Sequence, residues 1–235
     1  MKNKQLLVLI AAVIVIIIGS VLFVLDAKQA SIASKPEVQV EQIVKRGIDY
    51  SHSLFPADQT EAIKNEINER LAKFVDGQTR TVENLVDAAR QVRDVRDMDT
   101  ALAMFAIADT MHPVDLFYKI DVGRIYLERQ QWEAARAVFE PMKVTWPVHE
   151  AYLGLAESYK HIDGTPNYVV DQIYEESLFR HDNNFEVLQA YVAWLEQTGR
   201  EEQTIKYYEM MNRLAPQPIL EQKIKDLKAK YPAAK

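Results

Sequence analysis

Three prolines at regular spacing constrain the fold of this chain more than any other feature. Pro113 and Pro147 are 34 residues apart, and Pro147 and Pro216 are 69 apart, which is two further intervals with one extra residue. Self-similarity at this scale is typical of repeat proteins built from stacked supersecondary units. Glycine is scarce, with seven residues, and alternating β-branched runs are lacking after the N-terminal segment. The sequence therefore predicts an all-α repeat fold.

Aligned on these prolines, the chain divides into four blocks, at residues 82–115, 116–149, 150–184 and 185–218. Small residues fall where two helices of one block would cross, at Ala89, Gly123, Ala156, Ala101 and Ala135. Aromatic residues at one shared position of the second helix would fill the space between neighbouring hairpins: Phe105, Phe139, Tyr174 and Tyr208. Each proline would end its helix, because proline lacks an N–H and clashes with the preceding turn.

The four blocks resemble the tetratricopeptide repeat family. The best copy is block 116–149, which reads VGRIY, then WEAARAVFEPM, then WP. The resemblance implies a right-handed α-solenoid of helical hairpins whose first helices line a concave groove for a partner protein or peptide. Carried over by register, that groove would hold Val86, Arg90, Arg93, Phe117, Ile120, Arg124, Leu127, Leu153, Glu157, Lys160, Gln189, Ala193 and Glu196.

Three arginines of this expected groove could bind a carboxylate of an acidic segment or a chain terminus bidentately. These are Arg90, Arg93 and Arg124. The alternative is that they pair within the protein, with Asp87, Asp94, Asp97 or Asp121. The family's clamp for C-terminal carboxylates uses Lys and Asn, whereas this chain has Val86 and Ile120 at the corresponding positions. The resemblance therefore does not extend to that clamp.

The N-terminal segment predicts a membrane anchor within residues 1–25. Residues 6–25 are apolar except for Gly19 and Ser20, and twenty helical residues span about 30 Å, the thickness of the bilayer core. Lys2 and Lys4 precede them, so the positive-inside rule predicts a cytoplasmic N-terminus and a body across the membrane. A cleaved signal peptide is the alternative, although its apolar region is usually shorter. Residues 26–36 read as a tether.

Helices outside the four blocks are predicted at both ends of the body. Residues 37–80 predict a helical pair, 38–55 and 58–75, that caps the repeats or forms a degenerate hairpin. Asp58 and Glu61 have the spacing of a capping box, and Gly77 is a candidate C-cap. Residues 219–235 predict a C-terminal capping helix with a short tail.

Motifs for catalysis, metals and cofactors are lacking. With no cysteine, thiolate sites and disulfides are excluded. The five histidines, His52, His112, His149, His161 and His181, form no close metal-binding pair, and we expect them at the surface or in turns. The acidic pairs Asp97/Asp99 and Glu175/Glu176 suit helix caps and solvated faces. We expect Trp132, Trp146 and Trp194 to pack between helices. A net charge of −6 disfavours nucleic acid.

The sequence thus predicts a scaffold or chaperone-like adaptor rather than an enzyme, with no cofactor. Anchored repeat proteins of this kind hold components of assembly, secretion or surface-structure machines in the bacterial envelope. The first expectation is therefore an inner-membrane protein with a periplasmic repeat domain. The alternative is a cytosol-facing receptor for client proteins, and a lesser one is an enzyme with an unrecognised site. The anchor and the apolar spacing of residues 38–75 are also compatible with a homo-oligomer.

Overall fold

A computed structural model describes residues 35–113 and 116–232, which are helical and contain no strand. The all-α prediction is confirmed for this part of the chain. The eleven helices are α1 (Pro36–Arg46), α2 (Ala57–Val75), α3 (Val82–Asp94), α4 (Met98–Met111), α5 (Phe117–Glu128), α6 (Trp132–Thr145), α7 (His149–Lys160), α8 (Asn167–Arg180), α9 (Phe185–Gln197), α10 (Glu201–Leu214) and α11 (Pro218–Lys230).

The predicted anchor, residues 6–25, lies outside the described residues. No helix in the described ranges combines the length and the apolar composition needed to cross a bilayer. Most of the predicted tether, residues 26–34, also lies outside the described residues, and Pro36 at its end occupies the first helical position of α1. Proline suits that position, since the first N–H groups of a helix have no partner in the helix.

The chain divides into two compact units, an N-terminal unit up to residue 115 and a C-terminal unit from residue 116. In the N-terminal unit, α1 contacts α2 and α4, α2 contacts α3, and α3 contacts α4. Its core includes Val40, Ile67, Leu71, Phe74 and Ala89, each at most 1% exposed. Apolar residues at helical spacing on each element therefore meet in one buried layer.

The first helix of the N-terminal unit is shorter than predicted. It ends at Arg46 because Gly47 has φ 82° and ψ 161°, which no helix accommodates. The following segment has no helix as far as Pro56, and the Asp49 N–H donates to the Asp97 carboxylate at 2.9 Å. Periodicity alone extended the helix because apolar residues continue past the break.

The predicted capping box at Asp58 is wrong. Pro56 occupies the N-cap position of α2 without a side-chain hydrogen bond, and Asp58 lies inside the first turn. The predicted helix end at Gly77 is confirmed: Gly77 has φ 80°, its N–H donates to the Phe74 carbonyl, and the Gln78 N–H donates to the Lys73 carbonyl. This bonding is that of a Schellman motif, which a left-handed glycine permits.

The C-terminal unit is a row of helical hairpins closed by α11. Each helix from α5 to α11 contacts the next, and the first helices of successive hairpins also contact one another, α5 with α7 and α7 with α9. Short connections make consecutive helices antiparallel neighbours. One core runs through the unit and includes Ala135, Phe139, Leu155, Tyr174 and Leu188, each at most 1% exposed.

The aligned prolines share one backbone geometry. His112, Trp146 and Ala215 each follow the last residue of a helix and precede a proline, with φ of −148°, −152° and −142° and ψ of 79°, 77° and 87°. A residue before proline is driven out of the helical region in this way. Block 150–184 has no such proline, and its second helix is followed by Asp182 and Asn183 with φ of 47° and 60°.

Small residues bring the first helices of two hairpins close to one aromatic ring. Phe139 is 1% exposed, and its ring fills the space where Gly123 and Gly154 would carry a Cβ atom. The sequence pattern identified Gly123 but not Gly154. It also placed Tyr208 in the core, whereas Tyr207 is the more buried of the two at 4% exposure. The Tyr208 hydroxyl instead donates to Glu196 at 3.0 Å.

Candidate functional site

A cavity of about 310 Å³ opens on the first helices of the C-terminal unit, and we call it the α5–α7–α9 pocket. Its lining is Arg124, Leu127, Phe139, Glu150, Leu153, Gly154, Glu157, Lys160, Tyr174, Glu186 and Ala190. Five of these were predicted groove residues: Arg124, Leu127, Leu153, Glu157 and Lys160. The structure therefore brings together the central part of the predicted set.

Helix α7 supplies the middle of the pocket. Leu153, Glu157 and Lys160 follow the i, i+4, i+7 spacing that places side chains on one face of a helix. The opposite face of α7 is buried, with Ala151 and Leu155 both at 0% exposure. Because Gly154 has no side chain, the Phe139 ring from α6 reaches the pocket floor beside it.

Lys160 and Glu157 satisfy one another within the pocket. The Lys160 Nζ lies 3.0 Å from Glu157 Oε2, and the other carboxylate oxygen lies 3.0 Å from His161 Nε2. The ammonium also lies 5.3 Å from the centroid of the Tyr174 ring and 5.7 Å from that of Trp194. Such cation–π contacts stabilise a partly desolvated cation. The side chain of Lys160 is 13% exposed, so this cation is held in place.

The pKa values of this pair shift apart. Burial alone would raise the pKa of Glu157, but Lys160 and His161 outweigh it and the pKa is lowered. Burial would lower the pKa of Lys160, but Tyr174 and Glu157 outweigh it and the pKa is raised. Both shifts favour the charged forms. At neutral pH both side chains are therefore charged, and the charges of the pair cancel.

Arg124 differs from every other cation of the predicted groove. Its side chain is exposed, and within residues 35–113 and 116–232 it makes no hydrogen bond or ion pair. Arg90 instead lies 3.5 Å from Asp87, and Arg93 lies 2.9 Å from Asp94. Two of the aspartates proposed as internal partners thus contact the two predicted groove arginines that lie in the N-terminal unit. Arg124 alone keeps its guanidinium available in the pocket.

Two carboxylates and a histidine lie where the N-terminal turns of α7 and α9 border the pocket. His149 Nδ1 lies 3.2 Å from Glu150 Oε2, and its Nε2 lies 3.4 Å from Glu186 Oε2. The side chain of Glu186 is 65% exposed. The His149 ring also meets that of His181 edge to face, with centroids 6.1 Å apart. The histidine thus connects the N-terminal turns of α7 and α9, with both carboxylates facing the pocket.

The remaining predicted residues of this unit lie elsewhere. Ile120 is 9% exposed and belongs to the core. Phe117 is 66% exposed, and its ring meets Trp146 edge to face with centroids 4.6 Å apart. Gln189 and Ala193 are exposed but do not line the pocket.

Helix α9 contributes Glu186 and Ala190 where the sequence predicted Gln189 and Ala193. The difference is three residues, close to one helical turn, so the two sets lie on nearly the same face of α9 at different heights along its axis. The signal that locates Ala190 is a repeat interval of 33 residues. That interval takes Arg124 to Glu157 and Glu157 to Ala190.

Val86, Arg90 and Arg93 belong to α3 of the N-terminal unit. Val86 is 6% exposed and contributes to packing. That unit has its own cavity, of about 520 Å³, between α1 and α4. Its lining is Gln39, Gln42, Ile43, Arg46, Ala103, Ala106, Ile107 and Thr110, none of which the sequence pattern identified.

The aromatic and acidic residues singled out in the sequence take structural roles. The Trp132 ring stacks on His161 at 4.2 Å, and the Trp194 indole N–H donates to Asp171 at 3.0 Å. Asp97 is confirmed as a helix cap, accepting from the Thr100 N–H at 3.1 Å. Across the described ranges, no three His, Asp or Glu side chains converge as a metal site would require.

Neither a protein-family model nor a curated protein matches this chain.

Proposed function

We propose that this chain is a membrane-anchored protein-binding scaffold of the tetratricopeptide type, whose C-terminal unit receives a segment of a partner protein in the α5–α7–α9 pocket. The helical pairs, the contacts between successive first helices and the shared geometry before the prolines support this assignment. Rows of hairpins that contact their neighbours present extended surfaces suited to binding polypeptides. The chain acts through this binding surface rather than through catalysis.

The observation that carries the proposal is the exposure of the Arg124 guanidinium in the pocket. It is an exposed cation in a concave site, next to Leu127 and Leu153, and it has no partner in the described part of the chain. The other pocket cation, Lys160, is bound internally. A guanidinium beside apolar side chains is a common anchor at protein interfaces, because it offers five donors and a flat surface.

The proposed location rests on residues 6–25, with Lys2 and Lys4 before them. We propose a bacterial inner-membrane protein with a cytoplasmic N-terminus and a periplasmic scaffold domain, serving an envelope, secretion or surface-structure machine. Lys28 after the apolar segment favours the reverse orientation and thus the alternative of a cytosol-facing client receptor. A reporter enzyme active only outside the cytoplasm, fused after Lys235, distinguishes the two. Inactivity of that fusion would reject the periplasmic orientation.

Photocrosslinking in living cells tests the binding site. A photoreactive amino acid replaces Leu127 or Ala190, which line the pocket without carrying its charge, and Gln172, an exposed residue of α8, in a matched control. We expect the two pocket positions to crosslink to the same partner protein, in a segment that mass spectrometry can map. Crosslinks that form from Gln172 and not from the pocket positions would reject the proposed site.

A further inference from the structure

The internal pairing of Lys160 with Glu157 leaves one cation and two carboxylates in the pocket without a counter-charge of their own. Lys160 and Glu157 neutralise one another at 3.0 Å, and the second carboxylate oxygen of Glu157 lies 3.0 Å from His161 Nε2. Arg124 on α5 then remains as a cation without a partner among the described residues. Glu150 and Glu186 remain as carboxylates whose contacts converge on His149. The pocket is therefore positive at Arg124 on α5 and negative at the N-terminal turns of α7 and α9, where Glu150 and Glu186 lie.

One histidine cannot satisfy both carboxylates while it is neutral. A neutral imidazole donates one hydrogen bond, and its second nitrogen presents a lone pair. The Glu150 and Glu186 oxygens lie 3.2 and 3.4 Å from the two ring nitrogens. With a neutral ring, one of these carboxylates faces a ring acceptor and takes its donor from solvent, since the Glu186 side chain is 65% exposed. An incoming ammonium or guanidinium would replace that solvent donor.

The distance between Arg124 on α5 and Glu186 on α9 determines how many residues must separate the charged side chains of the partner. Helix α7 lies between α5 and α9, because it contacts both. Packed helix axes lie about 8–10 Å apart, so two steps from α5 to α9 cover roughly 16–20 Å. An extended chain advances about 3.3 Å per residue, so roughly five or six residues span it. Leu127, Leu153 and Ala190 line the path between the ends.

We propose that the partner segment is an extended peptide in which an acidic residue and a basic residue lie about five residues apart, with an apolar residue between them. The acidic side chain binds Arg124, the apolar one packs on Leu153, and the basic one binds Glu150 and Glu186. This inference rests on the proposed function, because it specifies the occupant of the same pocket.

Synthetic peptides test the charge pattern on the full chain in detergent micelles. The probes are fluorescent Ser/Ala peptides with a central Leu that carry Glu and Lys about five residues apart, in both chain directions. Control peptides carry two Glu, two Lys, or Glu and Lys on adjacent residues. We expect one direction of the patterned peptide to bind at least about fivefold more tightly than every control, since two exposed ion pairs contribute factors of this size. Equal affinities for patterned and control peptides would overturn the proposal.

Charge-reversal variants test whether Arg124 binds the acidic residue of the peptide and Glu186 its basic residue. Arg124→Glu should weaken the patterned peptide about fivefold and restore affinity for the two-Lys peptide. Glu186→Lys should favour the two-Glu peptide in the same way. Arg213→Glu and Glu202→Lys, at exposed positions on α10, are the matched controls and should leave all affinities unchanged. Reversals that weaken every peptide alike, with no rescue, would also overturn the proposal.

The photocrosslinking experiment separates this inference from the proposed function. A partner captured from Leu127 or Ala190 whose mapped segment lacks the acid–apolar–base pattern would reject the inference and leave the scaffold function intact. A lack of any capture from the pocket would instead reject the function itself.

Discussion

The Phe139 ring occupies the position of the side chain that Gly123 lacks. A Cβ atom built on Gly123 would lie closer than 3.0 Å to three atoms of this ring, and one built on Gly154 would do the same from the next hairpin. The ring therefore fits between the first helices of two hairpins. Since Phe139 is 1% exposed, it has little room to move aside.

Gly123→Ala is expected to lower the free energy of unfolding by about 1–2 kcal/mol. Alanine is favoured over glycine in a helix by about 1 kcal/mol, but overpacking a core costs about 1–3 kcal/mol, and the fixed ring makes overpacking the larger effect. In a Phe139→Leu background the ring is gone, so the same substitution should become neutral or stabilising. Urea unfolding of the four variants measures this coupling. A Gly123→Ala protein as stable as wild type would contradict the packing described.

Ala135→Leu tests the helix crossing inside one hairpin. Ala135 is 0% exposed, so a larger side chain should overpack the site and cost about 1–3 kcal/mol. Ala137→Leu, at an exposed position of the same helix, is the control and should stay within about 0.5 kcal/mol of wild type. Thermal unfolding of the full chain in detergent provides the comparison. Equal melting temperatures for the two variants would reject the repeat register.

The repeat pattern predicted helix pairs well because proline and small residues act through local sterics. Pro147 excludes the helical conformation at Trp146 whatever packs around it, and Ala135 marks a crossing because only a small side chain fits there. The structural effect of such residues can therefore be predicted from their residue type and position in the sequence. The second hairpin of the C-terminal unit, without a proline, instead depends on the left-handed Asp182 and Asn183, whose conformation is not evident from residue type.

The candidate site was less predictable, since it depends on which charges find partners. Arg90 and Arg124 occupy equivalent repeat positions, yet Arg90 contacts Asp87 while Arg124 makes no ion pair in the described ranges. His149 draws Glu150 and Glu186 together across two helices, a relationship that spacing along one helix does not contain. The break at Gly47 was missed for a different reason. Apolar residues continue at helical spacing beyond it, so periodicity alone gave no sign of a helix end.

Asp171 is expected to be a stabilising residue of the C-terminal unit. It accepts hydrogen bonds at 3.0 Å from the Trp194 indole and from Arg200, and its side chain is 19% exposed. Asp171→Ala leaves both donors partly buried without a partner, so we expect a loss of about 2–3 kcal/mol. Asp163→Ala, in an exposed turn, should have little effect. Similar urea midpoints for the two variants would show that this pairing does not stabilise the unit.

Protonation of His181 is expected to make the C-terminal unit less stable in mild acid. Burial, helped by His149 and Arg180, holds the pKa of His181 below its ordinary value of 6.5, against the opposing effect of Glu150 and Asp182. Its Nε2 is buried without a hydrogen-bond partner. The unfolded chain therefore binds this proton first as the pH falls. Stability is full above pH 6.5 and declines as the pH falls below that value.

His181→Phe tests this dependence because it retains an aromatic ring beside Tyr152, whose centroid lies 5.8 Å from that of His181, and removes the titrating group. Urea unfolding at about pH 7.5 and about pH 5.5 separates histidine titration from that of carboxylates, which remain mostly ionised at both values. We expect the wild type to lose stability between these conditions and the variant to lose less. His52→Phe, at an exposed position in the N-terminal unit, should behave as wild type. If His181→Phe and His52→Phe show the same acid-side loss, His181 is not the group responsible.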